Sequence, residues 1–229
     1  MGDAFGSSVA ISGNTALIGA PDDSVGGNSL QGSAYVFTRS GTTWTLQQNL
    51  TASNGAAYDH FGQSLAIFGD TVMVGSSSAV GTGSVYVYLR SGTNWTERQT
   101  LTASDGERGD AFGYSIAISD SIAIVGAPYD DGFGANQGSV YFFTRSGTTW
   151  TQVAKRFISS GQAQNQFGSS VALSGDTTVI GTRFDFVGSN FQQGSAYVFQ
   201  YFNEFWNQQT QFVASDGQQY SNFGSSVAA

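Results

Sequence analysis

Acidic side chains recur in one kind of glycine-rich segment, where they could bind a metal ion. The pairs Asp22-Asp23 and Asp130-Asp131 and the single Asp185 each stand a few residues before an asparagine. Calcium takes about six to eight oxygen ligands, and carboxylate and amide oxygens are suitable ones. These five aspartates are therefore the candidate metal ligands, and calcium is the candidate cofactor. Because aspartate and asparagine also build turns by bonding their own backbone, a structural role stays open.

Aromatic residues stand in the same segments, at positions that differ from one segment to the next. They are Tyr129, Phe133, Phe184, Phe186 and Phe191. Aromatic side chains beside carboxylates suit a surface that binds a protein or a carbohydrate. We therefore take these five as the candidate ligand-binding residues, with packing inside the loops as the alternative.

The sequence offers few residues that could form a catalytic site. His60 is the only histidine, the chain has no cysteine, and no serine accompanies His60 at a recurring spacing. A lone loop histidine is a poor candidate for a general base. We expect no enzymatic activity and assign no catalytic residue. A hydrolase built from acids of different loops is the alternative that the sequence leaves open.

The elements that must position these residues are internal repeats. A Phe-Gly pair occurs five times, at intervals of 56, 51, 55 and 56 residues, beginning with Phe5-Gly6 and ending with Phe223-Gly224. A period of about fifty residues that is rich in β-branched and aromatic residues is typical of a β-propeller. We expect one domain over residues 1–229, with repeats at about 3–55, 56–106, 107–161 and 162–217 and a partial repeat at 218–229.

The spacing inside each repeat shows where its length varies. In the four full repeats, the Phe-Gly phenylalanine precedes a second recurring glycine by 14 residues, and the repeat tryptophan precedes the next such phenylalanine by 17. All length variation falls in the segment after the second glycine, represented by residues 21–31, 76–82, 128–137 and 183–193. Loops tolerate insertion where packed strands do not, so these variable loops are the expected binding surface.

Each repeat predicts four short strands, which in the first are Phe5 to Ile11, Thr15 to Ala20, Ser33 to Thr38 and Trp44 to Thr51. Short turns with glycine join the first strand to the second and the third to the fourth. The fold class is therefore all-β, a β-propeller of four-stranded antiparallel blades, with four repeats and one extra strand at Phe223 to Ala228. In such a meander the variable loop and the connection to the next repeat lie at the same end of the blade.

The motif resembles a known family. The residues Phe5-Gly6-Ser7-Ser8-Val9-Ala10 followed by Gly19-Ala20-Pro21 look like the FG-GAP repeat of integrin α-subunit β-propellers, and Phe112-Gly113 with Gly126-Ala127-Pro128 repeats the pattern. The resemblance implies one blade per repeat and a role in adhesion or ligand binding. It also implies a calcium loop between the first two strands, but that connection is too short here to supply the ligands.

Composition excludes two partner classes and suggests a location. Charged residues are only 10% of the chain and its net charge is −8, so we expect no nucleic-acid partner. No apolar stretch reaches the roughly 20 residues of a membrane span, so we expect no membrane insertion. The start at Met1-Gly2-Asp3 lacks a signal peptide and lies inside a repeat, so we expect a piece of a longer parent protein that is extracellular or on the cell surface.

Together these features predict a non-catalytic extracellular scaffold for binding or adhesion, which presents its variable loops at one end of a propeller. The alternative is a structural spacer or oligomerisation module without a ligand on this segment. Four repeats could close alone, could pair with a second chain as a homodimer, or could belong to a larger ring.

Overall fold

The computed structural model describes residues 2–78, 81–132, 134–158 and 163–229, and all regular secondary structure within these ranges is β-strand. Repeat one contains β1 (Val9–Ser12), β2 (Thr15–Ala20), β3 (Ser33–Ser40) and β4 (Thr43–Leu50). Repeat two contains β5 (Phe61–Phe68), β6 (Thr71–Ser76), β7 (Ser84–Ser91) and β8 (Asn94–Leu101). Repeat three contains β9 (Ser115–Ile118), β10 (Ile122–Ala127), β11 (Ser139–Ser146) and β12 (Thr149–Arg156). Repeat four contains β13 (Phe167–Ser174), β14 (Thr177–Thr182), β15 (Ser195–Phe202) and β16 (Phe205–Phe212).

Each repeat folds into its own four-stranded antiparallel sheet, in which consecutive strands are neighbours. The fourth strand of each repeat therefore lies at an edge of its sheet, in agreement with its polar sequence. The fold class is confirmed as all-β, with FG-GAP-like blades of the propeller type.

The first strand is shorter than the sequence suggested. β1 begins at Val9 and not at Phe5, and φ is positive at Ala4 and Gly6, at 54° and 92°. The extra copy at Phe223 to Ala228 forms no strand, and its β-pairing is an isolated bridge between Phe223 and Gly194. The other four copies lead into a strand that pairs with the second strand of the same repeat.

By its contacts the chain forms two compact units, residues 1–114 with 145–150 and residues 115–144 with 151–229. The expectation of one continuous domain over residues 1–229 stays a prediction.

Every sheet has two faces. We call the face on the side of the preceding repeat the leading face, and the face on the side of the following repeat the trailing face. The trailing face of repeat one carries Ala34, Val36 and Leu50, and it packs against the leading face of repeat two, which carries Tyr88 and Trp95. These side chains are at most 4% exposed, and they form the core of the first unit.

The second unit repeats this arrangement between repeats three and four. Val140 and Phe142 on the trailing face of repeat three pack against Phe199 and Trp206 on the leading face of repeat four. The rings of Phe142 and Trp206 stack with their centroids 4.5 Å apart. Blade stacking therefore explains why aromatic residues recur at fixed positions of the repeat.

The variable loop and the connection to the next repeat lie at the same end of the sheet, as predicted. In the first unit, the backbone amide of Tyr58 donates to the carbonyl of Ser29 at 2.9 Å, and that of Phe61 donates to Gln31 at 2.8 Å. The two segments therefore form one surface. Across the described residues, no helix has the length and apolar character that a membrane crossing would need.

Candidate functional site

Three of the five candidate metal ligands share one position of the repeat. Asp23, Asp130 and Asp185 each stand four residues after the second recurring glycine, and repeat two has Ala79 there. In all three, the carboxylate turns back toward the start of the third strand and accepts hydrogen bonds from a serine and a tyrosine of that strand. This Asp-Ser-Tyr trio fixes each variable loop to the sheet.

Asp130 is the most strongly held of the three. Its carboxylate accepts from Ser139 Oγ at 2.8 Å, from Tyr141 Oη at 2.8 Å and from Lys155 Nζ at 2.7 Å. Its side chain is 5% exposed, so the ion pair with Lys155 is largely shielded from water. The backbone amide of Gly132 adds a fourth donor at 3.0 Å. These donors occupy both carboxylate oxygens.

Asp185 has a similar environment without a cation. Ser195 Oγ at 2.5 Å, Tyr197 Oη at 2.9 Å and Gln211 Nε2 at 3.1 Å all donate to one carboxylate oxygen. The other oxygen accepts from Asn165 Nδ2 at 2.8 Å. Desolvation, the nearby charge of Asp185 and their hydrogen bond raise the pKa of Tyr197, with desolvation the largest cause. Tyr197 therefore serves as a hydrogen-bond donor to this carboxylate.

Asp22 and Asp131 occupy other positions and point elsewhere. Asp22 lies 3.2 Å from Nδ1 of His60, and exposed Asp131 accepts from the backbone amide of Asn136 at 2.9 Å. Within the described residues, no three histidine or acidic side chains come together as a metal site would require. The structure thus places the predicted ligands in separate hydrogen-bonded arrangements, and metal binding by them stays a prediction.

The variable loops of repeats one and four share a backbone frame. Val25 and Asn28 form an isolated bridge in repeat one, and Val187 and Asn190 form the same bridge in repeat four. In both loops the asparagine amide donates to a glutamine side chain and to a glycine carbonyl of the following connection, namely Gln31 and Gly55 in one loop and Gln193 and Gly217 in the other. Differences between these loops therefore lie in the side chains that the frame presents.

Repeat four presents an aromatic cluster on this frame. The rings of Phe186 and Phe191 meet edge to face at 4.9 Å, and Phe191 meets Tyr220 in the same way at 5.4 Å. Tyr220 is 62% exposed, whereas Phe186 and Phe191 are half-buried. The corresponding residues of the repeat-one frame are Ser24, Ser29 and Tyr58. We call Phe186, Phe191 and Tyr220 the aromatic cluster.

The remaining aromatic candidates lie apart from this cluster. Phe184 is half-buried and lies under the guanidinium of Arg183, which is 4.2 Å from the ring centroid. Tyr129 occupies the corresponding position of repeat three and is also half-buried. A role of Tyr129 and Phe184 in ligand binding stays a prediction. Phe133 lies outside the described residues.

Sequence reasoning missed Tyr220, because it stands outside the variable loops. A signal was present: Tyr58 and Tyr220 both stand three residues before a Phe-Gly phenylalanine, and both have positive φ, at 68° and 65°. Each donates its backbone amide to the variable loop, at Ser29 and Phe191 respectively. The connection between repeats therefore contributes to the same surface as the variable loop.

Comparison with known proteins agrees with this architecture. The model of the FG-GAP repeat matches residues 1–37, 44–88, 95–143 and 150–199. No curated protein matches the chain. Among solved structures, a putative 6-phosphogluconolactonase from Bacteroides uniformis is similar over 92% of this chain and 57% of its own, with 13% identity and a TM-score of 0.62.

The structural likeness concerns the fold alone, since so few residues are identical. This chain spans little more than half the length of that protein. The repeat matches cover most of this chain, and each of the last three begins in the fourth strand of one sheet and ends in the third strand of the next. The chain therefore belongs to the FG-GAP repeat family.

Proposed function

We propose that this chain is a non-catalytic scaffold for binding or adhesion, and that it presents the variable loop of repeat four to a protein or carbohydrate ligand. The observation that carries the proposal is the aromatic cluster of Phe186, Phe191 and Tyr220. It occupies a loop frame that repeat one builds with serines at two of the three positions.

The frame supports this proposal because it does not depend on the aromatic rings. Repeat one holds the same bridge and the same asparagine bonds with Ser24 and Ser29 in their place. Rings that the frame does not need, and of which Tyr220 is 62% exposed, are available to a ligand. Aromatic side chains dominate the binding energy of many interfaces.

A carboxylate anchors the loop that carries the cluster. Asp185, the residue before Phe186, accepts hydrogen bonds from Ser195 and Tyr197 at the start of the third strand. A preformed support lowers the entropic cost of binding. The family resemblance to integrin-type repeats favours an extracellular or cell-surface location for the parent protein.

The test exchanges the two loops. The double variant Phe186→Ser with Phe191→Ser gives repeat four the residues of repeat one, on a frame that already accommodates them. We would measure binding of both proteins to a panel of immobilised cello-, chito-, malto- and manno-oligosaccharides and to a displayed peptide library. At least a tenfold loss of affinity is expected, equal to about 1.4 kcal/mol.

The matched control is Ser24→Ala with Ser29→Ala, which changes the same two positions of the repeat-one frame. It should bind as the unmodified protein does. If no probe binds the unmodified chain, or if both double variants bind equally well, the proposal is wrong and the spacer alternative is preferred.

A further inference from the structure

Contacts between neighbouring repeats contain a matched pair of residues. Arg90, on the leading face of repeat two, donates from Nη1 to Thr15 Oγ1 of repeat one at 3.2 Å. Arg145 of repeat three donates in the same way to Thr71 of repeat two at 3.1 Å. Thr15 and Thr71 both open the second strand of their repeat. An arginine on a leading face therefore pairs with a threonine on the preceding trailing face.

Both members of this pair differ between repeats three and four. Its leading face has Tyr201 where the other repeats have arginine, and repeat three opens its second strand with Ile122 in place of threonine. Tyr201 packs on Trp206 at 5.3 Å, and both Tyr201 and Ile122 pack against the core of the second unit. Repeats three and four thus have an apolar residue and a tyrosine at the two positions that hold threonine and arginine in the other contacts.

The leading face of repeat one has an arginine at this position, which we call the arginine type, and this face is exposed. Val9 is 71% exposed, Ile11 67% and Leu46 54%. Trp44 is 39% exposed, whereas Trp95, Trp150 and Trp206 at the same position are at most 4% exposed. Arg39 lies over Trp44 at 5.6 Å and bonds Asn14, as Arg90 lies over its tryptophan and bonds Asp70.

The trailing face of repeat four has a threonine at the matching position, which we call the threonine type, and this face is also exposed. Thr177 opens β14 at the position of Thr15 and Thr71. Phe202 is 65% exposed, Phe205 61% and Phe212 51%. Phe212 corresponds to Leu50, which is 1% exposed under repeat two. This face therefore has the chemistry that accepts an arginine-type leading face.

We propose that two copies of this chain associate head to tail, with the leading face of repeat one in one copy on the trailing face of repeat four in the other. Arg39 of one copy then donates to Thr177 of its partner, and Trp44 is buried as Trp95 is. The association continues the blade stacking that both units already use, so its geometry needs no new kind of contact.

On the trailing face of repeat four, the position beside Gly194 and Ser170 is already occupied. Phe223 bridges Gly194, and Ser170 Oγ donates to the carbonyl of Gly224 at 2.8 Å. Phe5 and Gly6 of the incoming copy are the equivalents of Phe223 and Gly224, so both pairs cannot occupy this place. Residues after Phe223 belong to no strand, whereas Phe5-Gly6 leads into β1. The Phe223-Gly224 pair is therefore the one that leaves.

The experiment exploits the two residue types. Arg39→Tyr gives repeat one the leading face of repeat four, and Thr177→Ile gives repeat four the trailing face of repeat three. Light scattering in about 0.15 M salt should give twice the 24.0 kDa of one chain for the unmodified protein. Each single variant should associate at least tenfold more weakly. The double variant, and an equimolar mixture of the two single variants, should recover because every contact is matched again.

The mixture distinguishes association between copies from closure of one chain on itself. A single chain that closes alone stays at 24.0 kDa and does not respond to mixing, which would overturn the proposal. Ser40→Tyr adds the same ring to the opposite face of β3 and should leave association unchanged; an equal loss there would also overturn it. Circular dichroism confirms that each variant folds.

A chain that ends at Asn222 provides a second measurement. It leaves the place of Phe223 and Gly224 open to Phe5 and Gly6 of the partner. Association should then be at least tenfold tighter than for the unmodified chain. Weaker association would show that the proposed docking register is wrong.

Discussion

The hydroxyl of Ser64 in repeat two donates a 2.6 Å hydrogen bond to the carbonyl of Gly113 in repeat three. The same bond joins Ser8 to Gly62, Ser115 to Gly168 and Ser170 to Gly224, at 2.6 to 2.8 Å. Each accepting carbonyl lies against the second recurring glycine of the donor's repeat, such as Gly75 for Gly113. The recurring glycines and serines thus form the joint between neighbouring blades.

Gly75→Ala should destabilise the fold by about 2–4 kcal/mol, because the added methyl group would overlap the backbone of Gly113. Gly69→Ala is the matched control, since open space surrounds Gly69 and only its φ of 55° resists alanine. It should cost about 1 kcal/mol. Urea unfolding measures both values, and equal losses would contradict this account of the joint.

Arg98→Gln should stabilise the protein by about 1 kcal/mol. Trp95 Nε1 donates to Gln47 at 3.0 Å, but the buried Nε1 of Trp150 has no acceptor among the described residues. Arg98 stands at the position of Gln47 and can only donate. Thermal unfolding of the variant tests this, with Arg98→Lys as a control that also lacks an acceptor and should gain nothing.

Stability should fall in strongly alkaline solution because of Tyr86. Burial, with the charges of Asp59 and Glu97, raises the pKa of Tyr86 from 10.0 to about 12 in the folded protein. The folded state thus favours the neutral phenol. This contribution is fully present below pH 10.0 and is lost as the pH rises through about 12.

Unfolding measured at a series of pH values across this interval would show the loss. Tyr86→Phe removes the titrating group together with its 2.8 Å bond to Asn54, and its stability should depend less steeply on pH. An unchanged slope in the variant would assign the alkaline loss to other groups.

Asp130→Asn should cost about 2–4 kcal/mol, because Lys155 would lose its carboxylate in a shielded site. Asp131→Asn changes the neighbouring, exposed residue and should cost less than about 0.5 kcal/mol. Denaturant unfolding distinguishes them. Similar costs for both variants would show that the Asp-Ser-Tyr trio does not fix the loop.

Calcium should leave the melting temperature unchanged. Hydroxyl and ammonium donors already occupy the carboxylates of Asp130 and Asp185, so a cation would have to replace those bonds. Scanning calorimetry with calcium and with a chelator provides the measurement. A rise with calcium that Asp22→Asn or Asp23→Asn abolishes would restore the metal site that the sequence suggested.

Much of the fold could be predicted because its signals are local. Two-residue turns such as Gly13-Asn14 and the bounds of β2 follow from turn residues and apolar runs, and the structure confirms both. The same number of residues separates the Phe-Gly phenylalanine from the second recurring glycine in every full repeat, as Phe61 from Gly75. This constancy indicates a fixed contact, which is the packing of Gly75 against Gly113 of the next blade. The structure of one repeat can therefore be predicted directly from the sequence.

The site could be predicted only in part, since hydrogen-bond direction is not a local property. Asp22 and Asp23 are adjacent in sequence, yet one faces His60 and the other faces Ser33. Tyr220 joins Phe191 across a separation of 29 residues, which no loop composition indicates.

The sequence alone determined the repeat, its four strands and the location of its variable loops, because period, turn chemistry and alternation act over a few residues. Only the tertiary structure decided which faces are covered. Trp44 and Trp95 occupy the same position of the repeat, yet one is 39% exposed and the other 3%. Burial depends on the neighbour that packs against a sheet, and that neighbour is a property of the folded chain.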